Sequence, residues 1–260
     1  MFSRLFGRKT PQAPPSTEGR LAYAVGDIHG RLDAFDALLH VIAEDALASQ
    51  PTQRPMLILL GDYVDRGPAS AQVVERILKL TDEPAFEVRA LKGNHEEALL
   101  QFRDEPGFGQ TWVEHGGAAT LASYGVQPPV TRTDPDAWET ARVAFRDALP
   151  ASHKAFYEGL EIMITVGDYA FVHAGVRPGV PLDRQVERDL LWIRAEFLQS
   201  TAKFEKVIVH GHTPMEEPQV VAGRRIGVDT GAYATGLLTA VRLDDSGHRI
   251  LQGRAVRSAA

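Results

Sequence analysis

The sequence predicts an α/β fold in which central mixed β-sheets are flanked by helices. Residues 21–91 alternate short apolar runs, each closely followed by a glycine, with segments whose apolar residues recur at helical spacing. That repetition is typical of strands buried beneath helices. Residues 160–243 contain further strand-like runs, with few helical patterns between the last of them. Because short connections join antiparallel strands, these later runs indicate that the sheets are mixed.

Nine strand-like runs and two clear helical patterns follow one another along the chain. The strands are expected over residues 21–25, 56–60, 86–91, 160–166, 170–172, 207–209, 219–222, 226–228 and 237–243. Helices are expected between the first three strands, where apolar residues recur at positions 32, 35, 38, 39 and 42 and again at 73, 74, 77 and 78. These patterns place a helix after each of the first two strands.

Residues 20–260 are expected to form a single domain, because one core suits a chain of 260 residues. Residues 1–19 contain basic and proline-bearing stretches without the apolar core of a secretory signal, and we expect a disordered tail. Residues 97–159 have a mainly helical pattern interrupted by glycines and prolines, with Trp138 and Phe145 on one apolar face. We interpret this stretch as a helical insertion or cap within the domain.

Composition narrows the classes of partner and cofactor. A formal net charge of −6 and the lack of a basic run argue against nucleic-acid binding. The chain contains no cysteine, so disulfides and thiolate metal sites are excluded. Oxygen and imidazole ligands remain, and they suit Mn²⁺, Fe, Zn²⁺ or Mg²⁺. No apolar run approaches the roughly 20 residues of a transmembrane helix, and the cytoplasm is the expected location.

Five short loops, each at the end of a predicted strand, combine acidic, imidazole and amide side chains. The loops are Gly26-Asp27-Ile28-His29-Gly30, Gly61-Asp62-Tyr63-Val64-Asp65-Arg66-Gly67, Gly93-Asn94-His95-Glu96, Val172-His173-Ala174-Gly175 and His210-Gly211-His212-Thr213. Ligands of α/β proteins bind where such loops meet at the carboxyl ends of strands. Each loop alone is weak evidence for a functional site, since an Asp after Gly is usually a turn residue and a lone His is usually structural. The complete set in this order favours a metal-dependent phosphoester site.

The set of motifs resembles the phosphoprotein phosphatase branch of the calcineurin-like metallophosphoesterase superfamily, in its compact bacterial and phage lambda phosphatase type. The resemblance extends from Tyr23 to about Leu243 and includes two later motifs, Leu191-Trp192-Ile193-Arg194 and Gly227-Val228-Asp229-Thr230-Gly231-Ala232. It implies a metallophosphoesterase β-sandwich with a helical insertion. It also implies hydrolysis of phosphate monoesters, with phosphorylated proteins or peptides as substrates and small phosphate esters as further candidates.

The resemblance implies two divalent metal ions, Mn²⁺ first among them, and a hydroxide bound between them that attacks phosphorus. The ligands would be Asp27 and His29 for the first ion, Asp62 between the two, and Asn94, His173 and His212 for the second. Carboxylate, amide and imidazole are suitable ligands for hard or borderline divalent ions. His210 and Asp229 are not in this ligand set. We expect both to lie next to the ligands and to hold them in place, with Asp229 capping a turn.

The same resemblance assigns the remaining chemistry. His95 would be the general acid, oriented by Asp65, since an alkoxide is a poor leaving group until it is protonated. Arg66 and Arg194, together with Asn94, would bind the phosphate oxygens. A guanidinium group matches phosphate with paired hydrogen bonds and keeps its charge.

Three functions remain open from the sequence. A protein serine/threonine phosphatase is favoured, and activity on phosphotyrosine stays open. The first alternative is a symmetrical dinucleoside polyphosphate hydrolase, a related group that typically replaces the residue at Asp65 and follows Asn-His with Asp, where this chain has Glu96. Such an enzyme needs aromatic surfaces for its bases, and among the five loops only Tyr63 is aromatic. The second alternative is a metal-bound scaffold that binds phosphoproteins without turnover, which the complete set of site residues disfavours. The physiological substrate, native metal and oligomeric state stay open.

Overall fold

The computed structural model describes residues 15–255. A disordered tail is predicted for residues 1–19, and residues 1–14 of it lie outside the described residues. Residues 16–19 hydrogen-bond to the body of the fold. The carboxylate of Asp245 accepts the backbone N–H groups of Thr17 and Gly19 at 2.7 and 3.0 Å.

Within residues 15–255, ten strands form two five-stranded sheets. They are β1 (Ala22–Val25), β2 (Met56–Leu59), β3 (Glu87–Ala90), β4 (Ile164–Val166), β5 (Tyr169–Phe171), β6 (Val207–His210), β7 (Gln219–Val221), β8 (Arg225–Gly227), β9 (Leu237–Asp244) and β10 (Gly247–Arg254). The strand orders are β10-β9-β1-β2-β3 and β4-β5-β6-β8-β7. Each sheet has three parallel strands and antiparallel partners, so the predicted α/β class with mixed sheets is confirmed.

Helices connect the strands and contribute apolar side chains to the hydrophobic clusters on the outer faces of the two sheets. They are α1 (Leu32–Ser49), α2 (Ser70–Asp82), α3 (Asn94–Asp104), α4 (Gly109–Trp112), α5 (Ala118–Ser123), α6 (Pro135–Ala148), α7 (Ala151–Glu158), α8 (Glu187–Trp192), α9 (Ala195–Leu198) and α10 (Ala232–Thr235). A π-helical turn, Val113–Gly117, joins α4 to α5. Helices α3 to α7 lie between β3 and β4, in the stretch interpreted from the sequence as a helical insertion. No helix within residues 15–255 is both long enough and apolar enough to cross a membrane.

Alternate residues of each strand face different layers, as the pleat of a strand requires. Ala24 of β1 packs between the two sheets in a cluster that includes Val209 of β6. Val25, the next residue, belongs to the cluster of the helical layer with Phe35 of α1. A third cluster, which includes Phe197 of α9, covers the far face of the second sheet. The result is a sandwich of two sheets between two layers of helices.

The structure departs from the predicted strands in two places. In the run predicted over residues 160–166, only Ile164–Val166 joins a sheet, while Glu161 forms an isolated bridge with Leu91. The other departure is β10, which has no strand-like pattern in the sequence. It is an edge strand with several exposed polar side chains, so an apolar alternation is absent.

The parallel strands determine where the motif loops lie. Strands β1, β2 and β3 run in one direction in the first sheet, and β5 and β6 share a direction in the second. Each of the five predicted loops follows the carboxyl end of one of these strands. Because such ends meet at an edge of their sheet, the fold brings the five motifs together.

Candidate metal centre and active site

Five of the predicted site residues form two clusters of potential metal ligands that share one carboxylate. The clusters are His29, Asp62 and His95, and Asp62, His173 and His212, with the ligand atoms of each cluster within 4.8 Å of one another. All five side chains are buried. Asn94 joins the second cluster, because its Oδ1 lies 2.9 Å from Nε2 of His173 and 2.8 Å from Nδ1 of His212.

Hydrogen bonds behind two of the rings fix which nitrogen carries a lone pair. Nδ1 of His29 lies 2.8 Å from the carbonyl oxygen of Val64, and Nδ1 of His173 lies 2.8 Å from that of Leu60. A carbonyl only accepts, so each Nδ1 carries the hydrogen and each Nε2 of the neutral ring has a lone pair. The two Nε2 atoms lie 3.6 and 3.5 Å from the carboxylate oxygens of Asp62. Lone pairs and a carboxylate that converge in this way repel one another unless a cation lies between them.

Burial keeps these rings in the form that binds metal. Removal from water lowers the pKa of His29 to about 3, and it also lowers the pKa of His173 and of His212. A ligand imidazole must be neutral to bind an ion. The donor set of oxygen and nitrogen without sulfur fits a hard or borderline divalent ion. The residues therefore fit a pair of divalent ions that share Asp62.

Asp27 lies beside these clusters and belongs to neither. Its carboxylate accepts the backbone N–H of His212, at 3.0 Å through Oδ1 and 3.1 Å through Oδ2. Burial, together with the charges of Asp229 and Asp62, raises the pKa of Asp27. Asp229 in turn accepts the N–H of Gly231 at 2.9 Å, which is a turn-capping contact. A metal-ligand role for Asp27 stays a prediction.

Five site residues have a left-handed backbone. The φ angles are 46° at His29, 52° at Asp62, 71° at Asp65, 69° at Arg66 and 66° at His212. Among the residues described, only Glu18 and Gln50 share a positive φ without being glycine. Side chains strain the backbone in this region, and such strain is characteristic of functional sites, where the surrounding structure must maintain it.

Glu96 holds the strained Asp62 loop from the first turn of α3. Its carboxylate accepts the backbone N–H groups of Asp62 and Tyr63 at 2.8 Å each, and that of Gly93 at 2.9 Å. A Cβ at Gly93 would lie 2.2 Å from Oδ1 of Asp62, so this close approach requires glycine. Glu96 was not predicted as a site residue, although a glutamate three positions after a helix N-cap is the signature of a capping box.

His95 lies between a carboxylate and a guanidinium group. Its Nδ1 is 2.6 Å from Oδ2 of Asp65, and its Nε2 is 3.1 Å from Nη2 of Arg66. Burial favours the neutral ring, but the charges of Asp62 and Asp65 outweigh it and raise the pKa of His95 above its usual value. The other terminal nitrogen of Arg66, Nη1, lies 2.9 Å from Nε2 of His29. Arg66 thus spans the two rings of the first cluster.

The two remaining predicted residues are not members of the ligand clusters. Arg194 is exposed, and its Nη1 is 3.5 Å from Oγ1 of Thr213. His210 is buried, with its ring centroid 5.0 Å from that of Phe197. Among the described residues its Nε2 has no hydrogen-bond partner. The phosphate-binding role of Arg194 and the supporting role of His210 stay predictions.

Two half-exposed aromatic side chains lie beside different clusters. The ring of Tyr233 is 5.5 Å from that of His29 between centroids, and the guanidinium carbon of Arg66 lies 4.6 Å from the Tyr233 centroid. The ring of Trp192 is 6.3 Å from that of His212. Tyr233 is 38% exposed and Trp192 is 45% exposed, so both offer area to a ligand. Neither was predicted as a site residue, although Trp192 belongs to the later motif that also contains Arg194.

Known proteins resemble this chain over most of its length. The pattern of the calcineurin-like phosphoesterase family matches residues 22–244. The asymmetrical bis(5'-nucleosyl)-tetraphosphatase PrpE of Geobacillus thermodenitrificans is 28% identical over 239 residues, which cover 84% of this chain and 88% of that protein. The protein of the same name from Bacillus velezensis is 27% identical over 241 residues, with 85% and 88% covered.

Solved structures share the fold at low sequence identity. A crystal structure of a proposed diadenosine tetraphosphatase matches with a TM-score of 0.58 and 20% identity, covering 93% of this chain and 97% of that one. A serine/threonine protein phosphatase from Saccharomyces cerevisiae matches with a TM-score of 0.52 and 16% identity, covering 95% and 86%. The family pattern spans all five motif loops. The chain therefore belongs to the calcineurin-like phosphoesterase family, hydrolases that use two divalent metal ions.

Proposed function

We propose that this protein hydrolyses dinucleoside polyphosphates. The observation that carries the proposal is the placement of Trp192 and Tyr233, two half-exposed rings that lie beside different ligand clusters. A dinucleoside polyphosphate carries a base at each end, and stacking one base on an aromatic side chain contributes about 1–3 kcal/mol. Part of the preference for phosphoproteins derived from the sequence depends on a lack of aromatic residues in the motif loops, and these two rings weaken that part. The other part, the presence of Asp65 and Glu96, still favours the phosphatase.

The names of the relatives support the same substrate class. The curated relatives at 27 and 28% identity are named asymmetrical tetraphosphatases, whereas the alternative predicted from the sequence is the symmetrical type. The position of cleavage follows from the products. Symmetrical cleavage of diadenosine tetraphosphate gives two molecules of ADP, and asymmetrical cleavage gives ATP and AMP.

Each group of side chains has a distinct part in the proposed reaction. His29 and Asp62, with Asp27 beside them, would hold one ion, and Asn94, His173 and His212 would complete the second together with Asp62. When bound, two divalent ions supply positive charge to the phosphate oxygens and lower the pKa of the attacking water. Mn²⁺ is the first ion to test, because this donor set of oxygen and imidazole suits it.

Arg66, His95 and Asp65 act on the substrate phosphate and the leaving group. Arg66 lies between the rings of His29 and His95 and would bind an oxygen of the reacting phosphate, with Arg194 available at the exposed edge. His95 would donate the proton on Nε2 to the leaving oxygen. Asp65 accepts the Nδ1 hydrogen of that ring and fixes its orientation.

The second candidate is a phosphomonoester hydrolase of the protein serine/threonine phosphatase type. The hydrogen bond of 2.6 Å between His95 and Asp65 favours it. A serine or threonine alkoxide needs a proton to leave, whereas a nucleoside phosphate is a weak base and leaves readily without one. A proton donor with its own carboxylate partner therefore contributes most to the cleavage of alkyl monoesters.

A side-by-side assay decides between the two candidates. The Mn²⁺-loaded protein is given diadenosine tetraphosphate, a phosphothreonine peptide and p-nitrophenyl phosphate, with Asp62→Asn as the inactive control and nucleotide products separated by chromatography. We expect the highest kcat/KM for the dinucleotide. A higher kcat/KM for the peptide would overturn the proposal in favour of the second candidate. Stoichiometric metal without turnover of any substrate would indicate a phosphate-binding scaffold.

A further inference from the structure

The helical insertion reaches the active site at Asp65 and Arg66, two consecutive residues that both have a left-handed backbone. We propose that Trp112, Gly116 and Thr120 are positioning residues, which hold Asp65 behind the proton donor and Arg66 toward the phosphate. For Asp65, this rests on one part of the proposed function, the donation of a proton by His95. None of these three residues belongs to the five motif loops.

The carboxylate of Asp65 is oriented by donors from the insertion. The indole Nε1 of Trp112 donates to Oδ2 of Asp65 at 2.9 Å, and the hydroxyl of Thr120 donates to Oδ1 at 2.6 Å. Oδ2 is also the acceptor for His95. All four side chains are buried. Two fixed donors satisfy the buried carboxylate and hold it in one rotamer, so the two insertion residues also determine the direction of the His95 ring.

The backbone of both strained residues is held by the same segment. The N–H of Asp65 donates to Oγ1 of Thr120 at 2.8 Å, and the N–H of Arg66 donates to the carbonyl of Gly116 at 3.2 Å. The side chain of Arg66 lies directly over Gly116. A Cβ at that glycine would be 2.8 Å from Cγ of Arg66, and its φ of 115° is one that other residues rarely adopt.

The local helix geometry explains how three residues reach one dipeptide. Trp112 ends α4, Gly116 lies in the turn that follows, and Thr120 lies in α5, so one short segment supplies all three contacts. The non-helical backbone of Gly116 kinks the chain between α4 and α5, and at this kink the carbonyl of Gly116 accepts the N–H of Arg66.

The first experiment removes one hydrogen bond at a time from Asp65. Trp112→Phe removes the indole N–H and keeps a ring, Thr120→Val removes the hydroxyl and keeps the shape, and Thr120→Ser restores the hydroxyl. The readout is the ratio of kcat for phenyl phosphate to kcat for p-nitrophenyl phosphate, because phenol is the leaving group that needs protonation more. The control Trp138→Phe removes an equally buried indole donor that bonds to the carbonyl of Arg132 at 2.7 Å.

We expect kcat for phenyl phosphate to fall by roughly 10- to 100-fold in Trp112→Phe and Thr120→Val, since each change misaligns a general acid. The loss for p-nitrophenyl phosphate should be smaller, bound Mn²⁺ and KM should be unchanged, and Thr120→Ser should recover most of the ratio. Trp138→Phe should match the parent. If His95→Asn shifts the ratio and neither insertion variant does, the positioning role is overturned. If His95→Asn leaves the ratio unchanged, proton donation fails, and with it the role of Asp65.

The second experiment tests Arg66 independently of proton donation. Gly116→Ala places a methyl group against Arg66, so we expect inhibition by inorganic phosphate to weaken about tenfold, as the loss of one charged hydrogen bond does. Gly125→Ala is the matched control, because Gly125 has φ of 78° and nothing within 4 Å of an added Cβ. Gly125→Ala therefore introduces strain at a positive φ without placing a methyl group against another residue. Equal phosphate inhibition in both variants would overturn the contact between Gly116 and Arg66 as a positioning device.

Discussion

The carboxylate of Glu96 accepts the backbone N–H of Asp62 at 2.8 Å. From the same first turn of α3, the backbone N–H of His95 donates to Oδ1 of Asp62 at 3.0 Å. Both the main chain and the side chain of Asp62 are therefore positioned by one helical turn. Because Asp62 is common to the two ligand clusters, the spacing of those clusters depends on this contact.

Glu96→Gln should destabilise the fold. An amide presents a donor where the carboxylate of Glu96 faces several backbone N–H groups, and an unsatisfied buried group costs about 1–3 kcal/mol. The measurement is the free energy of unfolding by urea in the presence of Mn²⁺. Glu97→Gln is the matched control, since an amide oxygen can still accept the indole N–H of Trp192 that Glu97 accepts at 2.6 Å. An unchanged unfolding free energy in Glu96→Gln would contradict the anchoring role.

Asp62→Asn should lose bound metal and nearly all turnover. One amide oxygen cannot supply the negative charge that a carboxylate shares between two cations. Elemental analysis should find two ions in the parent, and saturating Mn²⁺ at about 100 times its dissociation constant should stabilise it by about 2.7 kcal/mol for each ion. The variant should show neither effect, whereas Asp33→Asn on the exposed surface should resemble the parent. Two ions retained in Asp62→Asn would reject the shared-ligand assignment.

His95→Asn separates a proton donor from a metal ligand. His95 belongs to one ligand cluster, in which its Nε2 lies 3.9 Å from Oδ2 of Asp62. Its Nδ1, however, hydrogen-bonds to Asp65. If the ring is the acid, the variant should keep both ions and lose roughly 10²–10⁴-fold in rate. The loss should be smaller for p-nitrophenyl phosphate than for an alkyl phosphate. Loss of one equivalent of metal would identify His95 as a ligand instead.

The sequence predicts a strand or helix where that element is buried on one face or on all faces. Strands β1 and β2 lie between the helical layer and the second sheet, so every residue in them is buried and both appear as unbroken apolar runs. Strand β10 is different, because most of its residues are only partly covered at the sheet edge. Its position comes from a hairpin with β9, in which only Asp245 and Ser246 separate the two strands, so β10 is specified by the turn and by its partner and not by an apolar pattern of its own.

The sequence predicts a site residue where that residue lies in a motif loop directly after a strand. His29 and Asp62 follow strands directly, so their place at one edge is predictable once the strands are known. Trp112 is different, because its indole reaches Asp65 across 47 positions of sequence. Tyr233 likewise reaches His29 only through the fold. Neither position has a local pattern, so the list of aromatic residues near the site that the sequence provides is incomplete.

Trp192→Leu tests the stacking surface directly. The change keeps an apolar side chain and removes the ring, so kcat/KM for diadenosine tetraphosphate should fall by the equivalent of about 1–3 kcal/mol, the contribution of one stacked base. Hydrolysis of p-nitrophenyl phosphate should change much less. Trp192→Phe keeps a ring without the indole N–H and should lie between the parent and the leucine variant. Equal losses on both substrates would show that Trp192 supports the site without binding a base.

The pH dependence of stability should depend in part on His153, far from the ligand clusters. Its Nδ1 lies 2.7 Å from the hydroxyl of Tyr124, and its Nε2 lies 3.4 Å from a carboxylate oxygen of Glu75. Burial lowers the pKa of His153, and the charge of Glu75 only partly opposes this. A neutral ring suits these partners, because Tyr124 can donate to Nδ1 while Nε2–H faces Glu75.

The sign of the effect follows from the lowered pKa. Below the unfolded value of about 6.5 the unfolded chain binds a proton that the folded ring resists, so the contribution of His153 is complete above that pH and is lost as the pH falls toward the folded pKa. The free energy of unfolding should therefore drop between pH 7.5 and 5 by less in His153→Gln than in the parent. His40→Gln, which changes an exposed histidine of α1, should leave the parent's pH dependence unaltered. Identical pH dependences in the parent and His153→Gln would contradict the prediction.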